Sequence, residues 1–340
     1  MHASNRIHIC ILGAGGWGIA LANHCHSLGH NVRLWEFDPI AAETLHQERT
    51  RPQVLKDVKI HADIQITSDL QKAVQDATLI LLVAPSHVIR DVLQKLKPFD
   101  INNAILINCA KGLETETLNR ISEIVQQELS AEIADRYTVL SGPSHAEEVS
   151  KNIPTAVVAA SQDEIVARFV QQNLSSKTFR VYRSKDVIGV ELGGALKNVI
   201  AIAAGVCDGA GFGDNTKAAL QPRGLAEMSR LGIKLGADPL TFSGLSGMGD
   251  LIVTCMSRHS RNRYVGEQIG SGKTLDQVLE HMTMVAEGVR TSKAVVQLAK
   301  THRVEMPICS EVFRLLYDNK NPKQALEDLM TREVKPEIWY

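Results

Sequence analysis

Between residues 7 and 182 the chain repeats one unit: a short, nearly continuous apolar run, then a segment whose apolar positions fall three and four apart. The runs 7–12 (IHICIL), 32–37 (VRLWEF), 79–84 (LILLVA), 104–109 (AILINC), 137–140 (YTVL), 155–160 (TAVVAA) and 178–182 (TFRVY) predict strands. The segments 17–28, 39–48, 87–96, 117–129 and 163–173 predict helices. Strands this apolar, separated by helices, predict a parallel sheet covered on both faces. Near Ser184 the pattern changes. From "SKDVIGVELGGALKNVIAIAAGVCDGAG" onward helical spacing dominates, with Ser184 or Asp186 placed to cap the first long helix. The division expected is an α/β domain over 1–184 and an all-α domain over 185–340, with no low-complexity linker between them.

The first strand-to-helix junction carries chemistry. Gly13, Gly15 and Gly18 form G-A-G-G-W-G, a GxGxxG pattern that follows a strand and opens a helix. Gly13 permits a tight turn, Gly15 lets the backbone approach a pyrophosphate, and Gly18 lets helix and strand pack closely. Amide groups at the helix start then face the phosphates. Glu36 ends the second strand, where an acid can bind the adenosine ribose hydroxyls. Together these predict a Rossmann-type dinucleotide-binding domain; the competing reading is a tight turn that holds nothing. Glu36 and Asp38 would repel a 2′-phosphate and so favour NAD. Arg33 lies inside the strand, and Phe37 either stacks on adenine or joins the core.

Ligands of open parallel sheets bind beyond the carboxyl ends of the strands. Those ends carry Pro85-Ser86-His87, Ala110-Lys111-Gly112 and Ser141-Gly142-Pro143-Ser144-His145-Ala146. Such small, polar and cationic residues suit a cofactor beside a charged small substrate. Taken alone, Lys111 also reads as a solvated lysine and Ser144 as a helix cap. His87 and His145 lack metal-ligand spacing, and no metal is expected.

In the helical half, "VELGGALKNVIAIAAG" is apolar on most faces and predicts a buried helix. Lys197 and Asn198 interrupt it. A buried ammonium needs a partner or a task, and Gly193, one turn earlier on the same face, predicts open space or a close approach beside it. Further on, Asp250 follows Gly247 and Gly249. Ser260, Arg261, Asn262 and Arg263 fall within one turn, a set that suits either a phosphate cradle or a solvated helix end.

Composition narrows the classes. The 340 residues carry 37 basic and 38 acidic side chains, with none of the basic excess of a nucleic-acid or anionic-membrane binder. Hydrophobic residues, at 44%, are enough for full cores. The cysteines at 10, 25, 109, 207, 255 and 309 form no CxxC pair and predict buried, reduced thiols. No charged-then-apolar signal precedes the first strand, and no apolar run approaches the ~20 residues of a membrane span. A cytoplasmic protein is expected.

The motifs "GAGGWGIALA" (13–22), "CAKGLE" (109–114), "SGPSHAEEV" (141–149), "ELGGALKNVIAIAAG" (191–205), "NTKAALQPRGLAEM" (215–228), "GLSGMGDLIVTCMSRHSRNRYVG" (244–266) and "AEGVRTSKAV" (286–295) carry a resemblance over nearly the whole chain. The sequence resembles the bacterial NAD(P)-dependent glycerol-3-phosphate dehydrogenases. That resemblance implies reversible reduction of dihydroxyacetone phosphate to sn-glycerol 3-phosphate with NAD or NADP, a role in phospholipid supply, and a homodimer. It implies Lys197 as general acid/base. Lys111, Gly142, Ser144, Lys197, Asp250, Ser260, Arg261 and Asn262 are implied as substrate contacts. Gly16, Trp17, Phe37, Lys111, Ala146, Arg261, Val285 and Glu287 are implied at cofactor positions. The sequence departs from the family at Gly16, where serine or threonine is common, at His145 in place of a usual phenylalanine, and at Pro222 in place of a threonine. An arginine often found near the adenosine phosphate is missing beside Glu36-Phe37, which leaves NAD against NADP open. The rival readings are a related 3-hydroxyacid dehydrogenase and an NAD(H)-sensing protein without turnover.

Overall fold

The computed structural model describes residues 6–282 and 284–337. Its strands are β1 (His8–Leu12), β2 (Asn31–Trp35), β3 (Thr50–Arg51), β4 (Leu55–Lys59), β5 (Gln65–Thr67), β6 (Leu79–Leu82), β7 (Ile105–Asn108), β8 (Tyr137–Ser141), β9 (Thr155–Ala160) and β10 (Phe179–Ser184). Eight of them form one sheet in the order β10-β9-β8-β7-β6-β1-β2-β5, and β3 and β4 form a separate antiparallel hairpin. The central strands β6 (LILL) and β7 (ILIN) are buried at every position, as sequences without polar alternation require.

The expectation of a parallel sheet needs one correction. β8 and β9 pair antiparallel, with Val139 opposite Ala160, while every other pair in the sheet is parallel. Only the one-turn helix Ala146–Val149 lies between them. The chain therefore returns beside β8 without the full crossover helix that a parallel neighbour normally needs. Two local expectations also change. Within 117–129 the helix spans only Ile121–Glu128, because Leu118 takes a left-handed conformation (φ 65°) that ends any earlier helical turn. The hairpin β3–β4 and the edge strand β5 were not foreseen.

Apolar side chains fill both faces of the sheet, in two clusters centred on Ile9, Ile11 and Leu81 and on Leu12, Ile80 and Leu82. A third core belongs to the helical half and is built around the helix Val187–Gly209. Asp186 caps that helix, its Oδ1 accepting from the Gly189 amide at 2.8 Å. The first turn, through Val187 and Val190, packs into the core of the sheet, and the residues from Leu192 onward pack among helices. Buried Glu191 locks the junction: it accepts from the Tyr137 hydroxyl (2.5 Å), the Ser122 amide (2.9 Å) and Arg120 (3.0 Å). This helix is long and apolar enough to cross a bilayer, contrary to the reading of the runs, but 94% of its apolar window is buried inside the protein. All six cysteines are buried.

Candidate active site

The glycine turn is built as its spacing predicts. Gly13 has φ +122°, and a Cβ there would stand 3.0 Å from the Ala84 amide nitrogen and the Val83 carbonyl carbon. A Cβ at Gly18 would stand 1.9 Å from the Gly13 oxygen. Among the described residues nothing lies within 4 Å of where a Cβ on Gly15 would be, so the start of the helix Gly16–Ser27 has open space in front of it. Two glycines thus compress the turn and the third leaves room for a ligand, which is the cradle a pyrophosphate needs. The departure at Gly16 has a cause in the fold. A Cβ there would stand 2.7 Å from the carbonyl oxygen of Val54, because the β3–β4 hairpin folds over the turn. Ala146 borders the same place, its Cβ 3.8 Å from that position.

At the end of β2, Glu36 is buried and ion-paired with Arg51 of the hairpin. Arg33 is held by Gln65 and Gln75. Phe37 is 72% exposed and belongs to no core, which leaves its ring free to stack. Trp17 packs beside Phe179 with 6.4 Å between ring centroids. Glu287 starts the helix Glu287–His302 and reaches the loop after β6, accepting from the Ser86 amide (2.9 Å) and hydroxyl (2.5 Å). Val285, two residues earlier, is half-buried.

A buried cluster of charges lies where the strand ends meet the helical half. Lys197 Nζ lies 2.9 Å from Asp250 Oδ1 and donates to Thr254 Oγ1 at 2.7 Å. Lys111 Nζ lies 2.7 Å from Asp250 Oδ2 and donates to the Gly142 carbonyl at 2.8 Å. One carboxylate therefore bridges two ammonium groups brought from residues 139 and 53 positions away in the chain. Lys197 is 6% exposed and Asp250 1%. Burial lowers the Lys197 pKa to about 8, with Lys111 adding to the fall and Asp250 opposing it. Burial also pushes Asp250 upward, but the two lysines outweigh it and hold the carboxyl below its usual range. His145 is lowered to about 4 by burial and by Lys197 and Lys111, so it stays neutral at pH 7. Its Nε2 is buried without a hydrogen-bond partner among the described residues, as is Ser141 Oγ at the end of β8. Orphaned polar atoms beside the charge cluster mark a place that a polar ligand would complete.

The space expected beside Gly193 is filled by protein. A Cβ there would stand 2.5 Å from the Ser246 carbonyl oxygen, so this glycine admits the 245–249 segment, not a ligand. Gly194 admits Ser141 and Lys111 in the same way. Ser144 caps no helix; its hydroxyl turns back to the Gly142 carbonyl at 3.1 Å. Ser260 does cap: its Oγ accepts from the Arg263 amide and starts the helix Arg261–Gly270. Arg263 is drawn away to Asp208. Arg261 is exposed at the helix start. Asn262 donates to Asn198 Oδ1 (2.8 Å) and accepts from the Gly288 amide (2.9 Å), while Asn198 donates to the Lys111 carbonyl (3.0 Å). The two asparagines tie Lys111, the long helix and the start of the helix Glu287–His302 into one frame. The sequence reading puts Ser86 among the strand-end residues that suit a ligand and sees Asn198 as a polar interruption of an apolar helix, while nothing local points to Thr254 or Arg51. An apolar cleft of about 430 Å³ lies elsewhere, among Ala203, Leu220, Ile308 and Leu326, and none of its lining residues is a predicted site residue.

A glycine turn opening a Rossmann-type sheet, closed by a helical half that contributes a buried lysine, defines a two-part dinucleotide-binding protein of the dehydrogenase class. The chain belongs to the NAD-dependent glycerol-3-phosphate dehydrogenase family: residues 8–167 match the family's N-terminal domain and 186–327 its C-terminal domain. It is 50% identical to the glycerol-3-phosphate dehydrogenase [NAD(P)+] of Thermoanaerobacter sp. (strain X514), over 97% of this chain and 98% of that one. It is likewise 50% identical to the enzyme of that name from Chlorobium phaeobacteroides (strain BS1), over 98% and 99%. The crystal structure of glycerol-3-phosphate dehydrogenase from Coxiella burnetii is similar, with a TM-score of 0.91 at 35% identity, covering 96% of this chain and 99% of that one.

Proposed function

We propose that this protein reduces dihydroxyacetone phosphate to sn-glycerol 3-phosphate, reversibly, with NADH or NADPH. The observation that carries the reading is the Lys197–Asp250–Lys111 cluster, buried where the strand ends meet the helical half. Family membership supplies the substrate class, and the strand-end residues supply the chemistry. The glycine turn at Gly13, Gly15 and Gly18, with Gly16, Trp17, Phe37, Ala146, Val285 and Glu287 around it, would hold the dinucleotide. When bound, that cofactor supplies the hydride in one direction and accepts it in the other.

Reduction places negative charge on the carbonyl oxygen at C2 of the substrate. The Lys197 ammonium stabilises that charge and donates the proton, leaving a neutral amine. A pKa of about 8 suits both directions, because the acid form dominates at pH 7 while the base form is reached close above it. Asp250 orients the ammonium through Oδ1 and holds Lys111 through Oδ2. Gly142, Ser144 and Ser260 would line the substrate. Arg261 would anchor its phosphate, since a guanidinium fork matches phosphate oxygens and the helix start adds amide donors. Asn262 acts from behind, by holding Asn198 and Gly288 in place. Anchoring the phosphate away from the reacting carbon lets binding energy position C2.

This reading divides the chain into a cofactor domain at 1–184 and a substrate domain at 185–340. It implies a cytoplasmic homodimer that supplies phospholipid synthesis. The test is oxidation of NADH and of NADPH, followed in parallel with dihydroxyacetone phosphate and with a panel of 3-oxo acids. Turnover with the phosphate ester alone is expected. Turnover with an oxo acid alone would establish the hydroxyacid reading, and tight NADH binding without turnover on any substrate would establish the sensing one.

A further inference from the structure

We propose that Arg51 is the residue that recognises the 2′-phosphate of NADP(H), and that Glu36 serves as its positioning residue. The inference rests on the cofactor-turn reading above and reverses the expectation that the acids at the end of β2 disfavour that phosphate.

Four observations carry it. Arg51 sits in the β3–β4 hairpin, which folds over the helix start so closely that Gly16 has no room for a Cβ beneath Val54. Its Nη1 donates to the carbonyl of Ala14, inside the glycine turn, at 3.0 Å and to Glu36 Oε2 at 2.5 Å. The guanidinium is thereby fixed between the turn and the end of β2, the place where the adenosine ribose of a bound dinucleotide lies in this fold. Glu36, 3% exposed, has one oxygen committed to Arg51 and the other 3.4 Å from the Asp38 amide. It is neutralised and occupied, so it is a poor receptor for ribose hydroxyls and no barrier to an anion. Finally, Arg51 donates only through Nη1 among the described residues, and its side chain is 31% exposed. Three N–H groups on Nη2 and Nε remain to be satisfied, in the planar fork that matches a phosphate monoester.

The neighbouring charges leave Arg51 this role. Arg33 is spent on Gln65 and Gln75, and Asp38 uses Oδ1 to accept from the Ile40 and Ala41 amides as a helix cap. Residue 37, next to the buried acid, is an exposed phenylalanine with no charge to offer. The hairpin therefore supplies from residue 51 the cation that β2 itself lacks.

The experiment is equilibrium binding, read by quenching of protein fluorescence, with NADPH and NADH and with the fragments 2′,5′-ADP and 5′-AMP as competitors. Arg51→Gln is expected to weaken NADPH and 2′,5′-ADP by about 10- to 100-fold, the range for losing a charge-assisted contact, and NADH and 5′-AMP by less than about threefold. Equal losses for both members of each pair would make Arg51 a scaffold residue and overturn the proposal, as would unchanged NADPH affinity. Glu36→Ala supplies a second reading should Arg51→Gln not fold: releasing the guanidinium from the carboxylate that positions it should lower the NADPH-to-NADH affinity ratio, and an unchanged or raised ratio would overturn the assignment. Wild-type protein that binds neither dinucleotide would overturn the cofactor-site reading itself, a result distinct from intact NADH binding with no response to Arg51.

Discussion

The glycine turn and the lysine cluster both stand beyond the carboxyl ends of strands of one sheet and are made of different materials. The turn is backbone: Gly13, Gly15 and Gly18 contribute space and amide groups, all within six consecutive residues. The cluster is side chain: Lys111, Lys197, Asp250 and Thr254 come from segments up to 143 positions apart and meet through an unbroken set of charge-assisted contacts. A site made of backbone is sensitive to volume and indifferent to chemistry. A site made of side chains is sensitive to a single charge and tolerant of packing changes that leave the charge in place. The contrast can be broken by substituting each site in the other's currency.

The largest effect is expected at the cluster. Lys197→Met keeps the volume of the stem and removes the ammonium. Asp250 retains Lys111 at 2.7 Å, so no buried carboxylate is left unpaired and the fold should persist. Turnover should fall by about 100-fold or more, the scale of acid/base catalysis, with cofactor affinity nearly unchanged. Stopped-flow turnover beside a thermal melt checks both halves. Near-normal turnover would move the proton donor elsewhere.

The glycine turn should separate internally. Gly18→Ala forces a methyl to within 1.9 Å of the Gly13 oxygen, and overpacking of this kind costs about 1–3 kcal/mol. Gly15→Ala meets no atom within 4 Å, so the protein should melt like wild type while its dinucleotide affinity falls, because the methyl occupies the ligand's space. Melting temperature and dinucleotide Kd, measured on both variants, test the division of roles. A Gly15→Ala variant with unchanged affinity would mean that the open face of the turn holds nothing.

The same division decides what could be read from the chain alone. Short-range spacing specified β1, the glycine turn and the following helix almost to the residue, because those contacts are local. The lysine showed itself as an anomaly, a charge inside an apolar helix, while its partners stayed invisible: nothing near Lys197 in sequence points to Asp250 or Thr254. Lys111 stands out at a strand end and Asp250 behind two glycines, and family resemblance supplies their roles. Asn262 also holds partners the spacing does not foretell: it donates to Asn198 and accepts from the Gly288 amide, 64 and 26 positions away. Of the two readings of Gly193, open space for a ligand or a close approach by protein, the fold takes the second, with Ser246 against it. The β3–β4 hairpin left no periodic trace. β3 is two residues long, β4 is largely exposed, and Asp57 adopts φ 60°. Without the hairpin, Arg51 is an ordinary surface arginine and the loss of a hydroxyl at Gly16 has no cause.

The smallest effect, and the one most specific to the cluster, is a pH profile. Burial brings the Lys197 pKa to about 8, and Lys111 presses in the same direction, while Asp250 and the neighbouring Cys255 work against them. Reduction requires the protonated amine, so its rate should hold level below about pH 8 and decline above it. Oxidation requires the neutral amine, so it should climb through the same window and level off beyond. His145, neutral down to about pH 4, adds no inflection between 5 and 7. Asp250→Asn removes the carboxylate that does most to raise the lysine, and both profiles should then move to lower pH together. Such a variant leaves two ammonium groups facing each other without a carboxylate, so its melting temperature should fall as well. Opposite displacements of the two profiles would assign the titration to a group other than Lys197, and the backbone-built site, which titrates nothing, should show no pH dependence of NADH affinity across this range.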